Sequence, residues 1–250
     1  MSGELDGRHV LVTGGGRGIG AGVAEEAAAR GALVTLVART RGELDGVAAR
    51  IVDAGGRART HAADATDDAA MEEAIAQADA AEPLWGAVLS AGMNRPAPAA
   101  GYPMDDFDAI FAVNVRAAFV ACRALHPVLT AHGGGRIVAM SSQLGSVGFP
   151  DRVPYAASKH AVNGMVRGLA VEWAPAGITV NAVAPTFVET EFTRANLARP
   201  EFRAEVLSRI PGGRLATVEE VAAATCFLLA PRSGSITGHV LAVDGGWTAW

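Results

Sequence analysis

The chain has 250 residues, half of them apolar, and a formal net charge of −5 with its arginines scattered. This leaves material for a sizeable core and no basic stripe on which a nucleic acid could lie. Two distant cysteines (Cys122 and Cys226), six histidines without metal-ligand spacing and a polar N-terminus argue against a disulfide scaffold, a metal site, a signal peptide and a membrane span. A soluble cytoplasmic protein with two buried free thiols is expected.

In chain order, HVLVTG (9–14) reads as a strand, followed by a helix near 18–30. LVTLVA (33–38) is a second strand with a helix near 41–54, and ARTHAAD (58–64) a weaker third with a helix over 67–80. WGAVLSAG (85–92) is strand four. A long helix over about 105–130 should break or bend near Pro127, where a backbone N–H is missing. GRIVAMSS (135–142) is strand five, and a helix over 153–174 is stopped by Pro175 and Gly177. ITVNAVAP (178–185) is strand six, a helix covers 217–230, and HVLAVDGG (239–246) is strand seven. Alternating strands and helices, with strands that are short continuous apolar runs, predict an α/β fold whose parallel sheet carries helices on both faces. No linker or repeat divides the chain, so one domain over 1–250 is expected. Residues 186–216 break the rhythm with Pro200, Pro211 and Gly212–Gly213, and read as a substrate lid.

The turn VTGGGRGIGAGVA (12–24) joins the first strand to the first helix. Its spacing, Gly14, Gly18 and Gly20, is not G-x-G-x-x-G, but the physics is the same. Glycine permits positive φ and close backbone approach, and the helix N-terminus offers free N–H groups to a pyrophosphate. Strand two ends in VARTR, with Arg39 and no acid between residues 34 and 42. A guanidinium suits a 2′-phosphate, so NADP(H) is favoured over NAD(H), with Arg17 in the turn as a second donor. Arg39 could otherwise cap a surface loop. Asp64 could accept from the adenine amino group or cap the following helix.

In VPYAASKHAV (153–162), Tyr155 and Lys159 stand one helical turn apart and share a face. A phenol ionises near about pH 10, and a neighbouring ammonium lowers that value toward the range where acid–base catalysis works. Ser142 closes strand five, where ligands of open α/β sheets bind, and its hydroxyl can donate to and accept from a substrate oxygen. Asn114, inside FAVNVRAAF, is a polar residue in an apolar helix. It either disturbs the helix and holds a water for Lys159 or is a satisfied core residue.

These motifs, in this order over essentially the whole chain from Thr13 to VDGGWTA (243–249), resemble the short-chain dehydrogenase/reductase family. The resemblance implies a doubly wound, Rossmann-type domain with a seven-stranded parallel sheet, usually in a homotetramer or homodimer. It implies hydride transfer between NAD(P) and a small ketone or secondary alcohol, with 3-oxoacyl thioesters and sugar-acid carbonyls as substrate types. Tyr155 is then the general acid/base, and Ser142 orients the substrate oxygen. Lys159 binds the nicotinamide ribose and depresses the Tyr155 pKa, and Asn114 supports a relay water. Ile19, Ala91 and Gly92 join the cofactor surface, Asp64 contacts adenine, and Val188 and Thr190 hold the carboxamide. Two departures stand out: Leu89–Ser90 replace the usual paired asparagines, and Thr186 follows Pro185 where glycine is common. Met93, Asn94, Gln143, Phe149, Phe187 and Phe192 are candidates for the substrate side. A catalytically silent cofactor-sensing protein is the competing reading, although it would not need Ser142, Tyr155 and Lys159 together.

Overall fold

The computed structural model describes residues 3–249 and contains one seven-stranded sheet, every pairing parallel. The strands are β1 (His9–Thr13), β2 (Leu33–Ala38), β3 (Arg57–Ala62), β4 (Gly86–Leu89), β5 (Gly135–Met140), β6 (Ile178–Pro185) and β7 (Val240–Val243), in spatial order β3-β2-β1-β4-β5-β6-β7. The order reverses between β1 and β4, and that switch point opens the crevice in which such sheets bind ligands. β1, β2 and β4 to β6 are buried along nearly their whole length, as continuous apolar runs require, whereas β3 is an edge strand with Arg57 and Arg59.

Alternate strand residues point to opposite faces, so the sheet carries two cores. Val10, Val12, Val34 and Leu36 pack against α1 (Gly18–Ala29), α2 (Arg41–Asp53) and, through Val221 and Leu229, a helix near the C-terminus. On the other face Leu11, Leu89 and Ile137 meet α3 (Asp68–Ala81) and two long helices. One of these runs as α4 (Met104–Phe111), a five-residue π segment (Ala112–Arg116) and α5 (Ala117–Ala131). The other is α6 (Val153–Trp173).

The span Met104–Ala131 is long and apolar enough to cross a membrane by length and composition. Its apolar side is occupied, because Ala121, Cys122, Leu125 and Leu129 are buried in the second core. The break in this helix lies at the π segment around Asn114, not at Pro127 as expected. The helix continues through Pro127, which is exposed like Arg123 four residues earlier, so water can reach the carbonyl that lost its partner. Residues 186–216 are largely helical: α7 (Glu191–Leu197) and α8 (Pro200–Ser208) fill the segment before the last long helix, α9 (Val218–Leu229).

Candidate active site

A cleft of about 680 Å³ lies over the C-terminal ends of β1, β2, β4, β5 and β6. At its floor, Gly14 has φ +66°, and a Cβ there would stand 2.8 Å from the Ala91 nitrogen, so the turn and the end of β4 can pack together only around glycine. Gly18, with φ +56°, opens α1; a Cβ there would project toward Thr190 at 3.7 Å. No side chain caps α1 and no acid stands in its first turn, so its first N–H groups remain free for an anion. A dinucleotide fits this arrangement: the pyrophosphate at the uncapped turn, the adenosine toward Arg39 and Asp64, the nicotinamide toward Tyr155.

All the residues expected to hold the cofactor line this cleft: Gly14, Arg17, Gly18, Ile19, Gly20, Arg39, Asp64, Ala91, Gly92, Tyr155, Lys159, Val188 and Thr190. Arg39 is largely exposed and sits loosely opposite Asp64, Nη1 to Oδ2 at 3.9 Å. Asp64 does not cap a helix. Its Oδ1 accepts from the Thr66 N–H at 2.9 Å and hydroxyl at 2.8 Å, which hold its carboxyl below the usual range, while Asp67 caps α3. Arg17 reaches toward Glu43 (3.8 Å) and Glu191 (3.5 Å). Glu43 lies one position past the stretch read for an acid, on the first turn of α2, and lines the cleft.

Tyr155, Lys159 and Ser142 converge on one wall. Lys159 Nζ is buried, donates to the Met140 carbonyl at 2.7 Å and lies 5.6 Å from the centre of the Tyr155 ring. Desolvation pushes its pKa down to about 8. Tyr155 opens one face to the cleft but lies deep in the structure. Desolvation raises its phenol above the ordinary value, and the Ser142 hydroxyl and the Arg152 charge oppose that rise. In the free protein burial dominates the phenol, so its value lies above the ordinary one despite the nearby cations. Ser142 Oγ also accepts from the Leu144 N–H at 3.2 Å, which fixes the hydroxyl at the end of β5.

Asn114 does not line the cleft. Its Oδ1 accepts from the Met93 N–H (2.8 Å), and its Nδ2 donates to the Met93 carbonyl and to Ser158 Oγ (both 3.0 Å). Both amide hydrogens are engaged, so the side chain braces the loop after β4 against α6 and does not present a donor to a relay water.

A second cavity of about 90 Å³ shares Ser142, Tyr155, Thr186, Phe192 and Thr193 with the cleft. Of the candidates for the substrate side, Asn94, Gln143, Phe187 and Phe192 line this cavity, and Met93 lines the cleft. Phe149 lines neither. It is buried in an aromatic cluster with Phe187 (5.8 Å between centroids), Trp247 (5.9 Å) and Phe202 (6.0 Å), where packing holds it. The departure at Thr186 falls on the shared wall, and its hydroxyl is buried without a hydrogen-bond partner. Arg152, also in this cavity, was missed in the sequence: its position before Tyr155 carries no periodic signal.

A doubly wound sheet whose switch-point cleft carries a tyrosine, a lysine and a serine on one wall defines a dinucleotide-dependent α/β oxidoreductase. The family model described as enoyl-(acyl carrier protein) reductase matches residues 14–248. The chain is 42% identical to galactitol 2-dehydrogenase (L-tagatose-forming) of Cereibacter sphaeroides, covering 99% of this chain and 97% of that protein. It is 34% identical to gluconate 5-dehydrogenase of Gluconobacter oxydans, over 98% and 96%. Among solved structures, a gluconate 5-dehydrogenase from Burkholderia cenocepacia in complex with NADP and tartrate superposes with a TM-score of 0.95 at 34% identity, over 98% and 97% of the two chains. The chain belongs to the short-chain dehydrogenase/reductase family and is an enzyme acting on CH–OH donors with NAD(P).

Proposed function

We propose that the enzyme interconverts a secondary alcohol and a ketone on a sugar-type substrate, with NADP(H) preferred and Tyr155 as general acid/base. The convergence of Tyr155, Ser142 and Lys159 on one wall of a dinucleotide-sized cleft, with Tyr155 and Ser142 also lining the small cavity beside it, carries this reading. When bound, the nicotinamide accepts or supplies the hydride. Tyr155 takes the hydroxyl proton as the alcohol is oxidised and returns it to the carbonyl oxygen on reduction. Ser142 donates a hydrogen bond to the same substrate oxygen and fixes its distance from the phenol.

Lys159 holds the ribose hydroxyls, and the uncapped α1 N-terminus holds the pyrophosphate. Arg39, with Arg17, grips the 2′-phosphate. Val188 and Thr190 hold the carboxamide, and 186–216 covers the bound substrate. The partnerless polar atoms of Asn94, Gln143 and Thr186 in the small cavity and the relatives named for galactitol and gluconate favour a hydroxylated substrate over a 3-oxoacyl thioester. The two buried thiols, Cys122 and Cys226, accord with a cytoplasmic setting, and a homo-oligomer is the family's usual state.

Tyr155→Phe tests the assignment and separates an enzyme from a silent cofactor sensor. Turnover, followed by nicotinamide absorbance over a panel of polyols and sugar acids, should fall by at least roughly 100-fold, while NADPH affinity stays within about threefold of wild type. Undiminished turnover in this variant would remove Tyr155 from the reaction.

A further inference from the structure

Four arginines line the two cavities, and three of them face carboxylates: Arg17 with Glu43 and Glu191, Arg39 with Asp64, and Arg95 with Asp106. The fourth, Arg152, is different. It is 6% exposed, and among the described residues no carboxylate lies within 4.0 Å of its guanidinium nitrogens. Its hydrogen bond is a single one, from Nη1 to the Asp151 backbone carbonyl at 3.2 Å, and its Cζ stands 5.8 Å from the centre of the Phe202 ring.

The local backbone places it there under constraint. Asp151 is the only non-glycine residue with positive φ (+57°) among the described residues, and this left-handed turn sends Arg152 inward before α6 begins. Arg152 is also the N-cap residue of α6, the end of a helix that favours an anion rather than a cation. A buried guanidinium so placed is costly unless a negative group joins it.

The rest of the cavity is equally unfinished. Six buried side-chain atoms lack a hydrogen-bond partner among the described residues, and four of them belong to residues of this one cavity: both amide atoms of Gln143, Asn94 Oδ1 and Thr186 Oγ1. Native interiors leave few such atoms, and a cluster of them beside a reactive phenol marks the complement of a ligand. Donors and acceptors of that kind match carbinol groups, and a fork of guanidinium N–H groups matches a carboxylate.

We infer that Arg152 is the carboxylate anchor of the small cavity, with Gln143, Asn94 and Thr186 as its hydroxyl readers, so that the enzyme selects an anionic polyhydroxylated acid of the aldonate class over the neutral polyol. The inference rests on the oxidoreductase reading given above. It adds a specificity residue to that reading and leaves the hydride and proton transfers as described.

The test uses the enzyme with NADP⁺ and two matched pairs, D-gluconate against D-glucitol and D-galactonate against galactitol. Wild type should show the higher kcat/KM for the acid of at least one pair. Arg152→Leu should raise KM for that acid by roughly 100-fold, leaving the KM for the alditol within about threefold, while any change in kcat from losing the charge beside the Tyr155 phenol falls on both substrates alike. Arg152→Lys should recover part of the loss, since it restores the charge without the fork. Equal rises in KM for acid and alditol, which a structural role would give, overturn the inference, as does a wild-type preference for the alditol in both pairs.

Binding supplies an independent readout, because the acids and NADPH cannot react with each other. Thermal protection of the NADPH complex by an acid, abolished in Arg152→Leu, supports the anchor even if wild type oxidises none of the four compounds; that outcome would sink the reaction alone. No turnover and no protection would sink the anchor as well. Should Arg152→Leu fail to fold, Arg152→Gln carries the same comparison.

Discussion

Lys159 shows how a single residue can be retained against the stability of the fold. The residue is 4% exposed, its ammonium has one carbonyl for a partner, and its pKa falls from 10.5 to about 8. Between those values the unfolded chain holds the proton and the folded chain has released it. Folding stability therefore rises with pH through this window, by up to about 3 kcal/mol, and below about pH 8 that stabilisation is absent. Lys159→Met has no such group. In urea titrations, wild type should gain on Lys159→Met between pH 7.5 and 9.5, while the thiols of Cys122 and Cys226, both pushed up to about 12 by burial, act alike in the two proteins and cancel. A stability difference that stays flat with pH would mean that the ammonium is solvated in the free enzyme. Activity should be lost in Lys159→Met at every pH, since the ribose loses its donor.

At the scale of an element, the π segment Ala112–Arg116 turns a helix to a purpose. A one-residue excess in the helical ladder brings Asn114 round to face Met93 and Ser158, and the side chain ties the loop after β4 to α6. The brace fixes Met93 at the cleft and, through α6, the helix that carries Tyr155 and Lys159. Asn114→Ala strands the Met93 N–H and carbonyl. It should cost roughly 2–3 kcal/mol in urea unfolding and lower kcat more than it raises the KM for NADP⁺. Ser158→Ala removes the contact with Asn114 together with the donation of the Ser158 hydroxyl to the Tyr155 carbonyl (2.7 Å) and should cost roughly 1–2 kcal/mol. A double-mutant cycle should give less than the sum, because the two share that bond. Additive losses would show that Asn114 acts elsewhere.

The molecule as a whole is held by two cores that share one sheet, so a ligand seated across the strand ends stabilises both. NADPH at a hundred times its Kd should raise the thermal midpoint by about 5–10 °C, and NADH at equal concentration by less. Arg39→Asp should reverse that order if the guanidinium reads the 2′-phosphate. An unchanged order would assign the phosphate to Arg17 alone or show that NAD is preferred.

The strands were legible because burial on both faces writes them as unbroken apolar runs, and LVTLVA and ITVNAVAP have the ends read for them. The cofactor wall was legible because glycine and the Tyr155–Lys159 spacing are local. What escaped the sequence depends on distant partners. Arg152 is buried beside Phe202 from α8, fifty positions further on. Phe149 is withdrawn from the substrate side by Phe187 and Trp247, and burial holds the Tyr155 phenol above its ordinary value despite the lysine beside it in the helix. Residues 186–216 hid their helices because α7 has only seven residues and α8 nine, too few turns to display a period.

The aromatic cluster also gives this enzyme a built-in optical gauge. Trp247 packs tilted against both Phe149 and Phe187, with centroids 5.9 Å apart in each pair, and the Arg209 guanidinium lies 5.9 Å from the centre of its ring. Arg209 follows directly on α8, so tilting that short helix changes the charge over the indole. If residues 186–216 close over a substrate as proposed, the ultraviolet emission of the unlabelled protein should shift before any hydride has moved, and Trp247→Phe should remove that shift against the background of the other tryptophans.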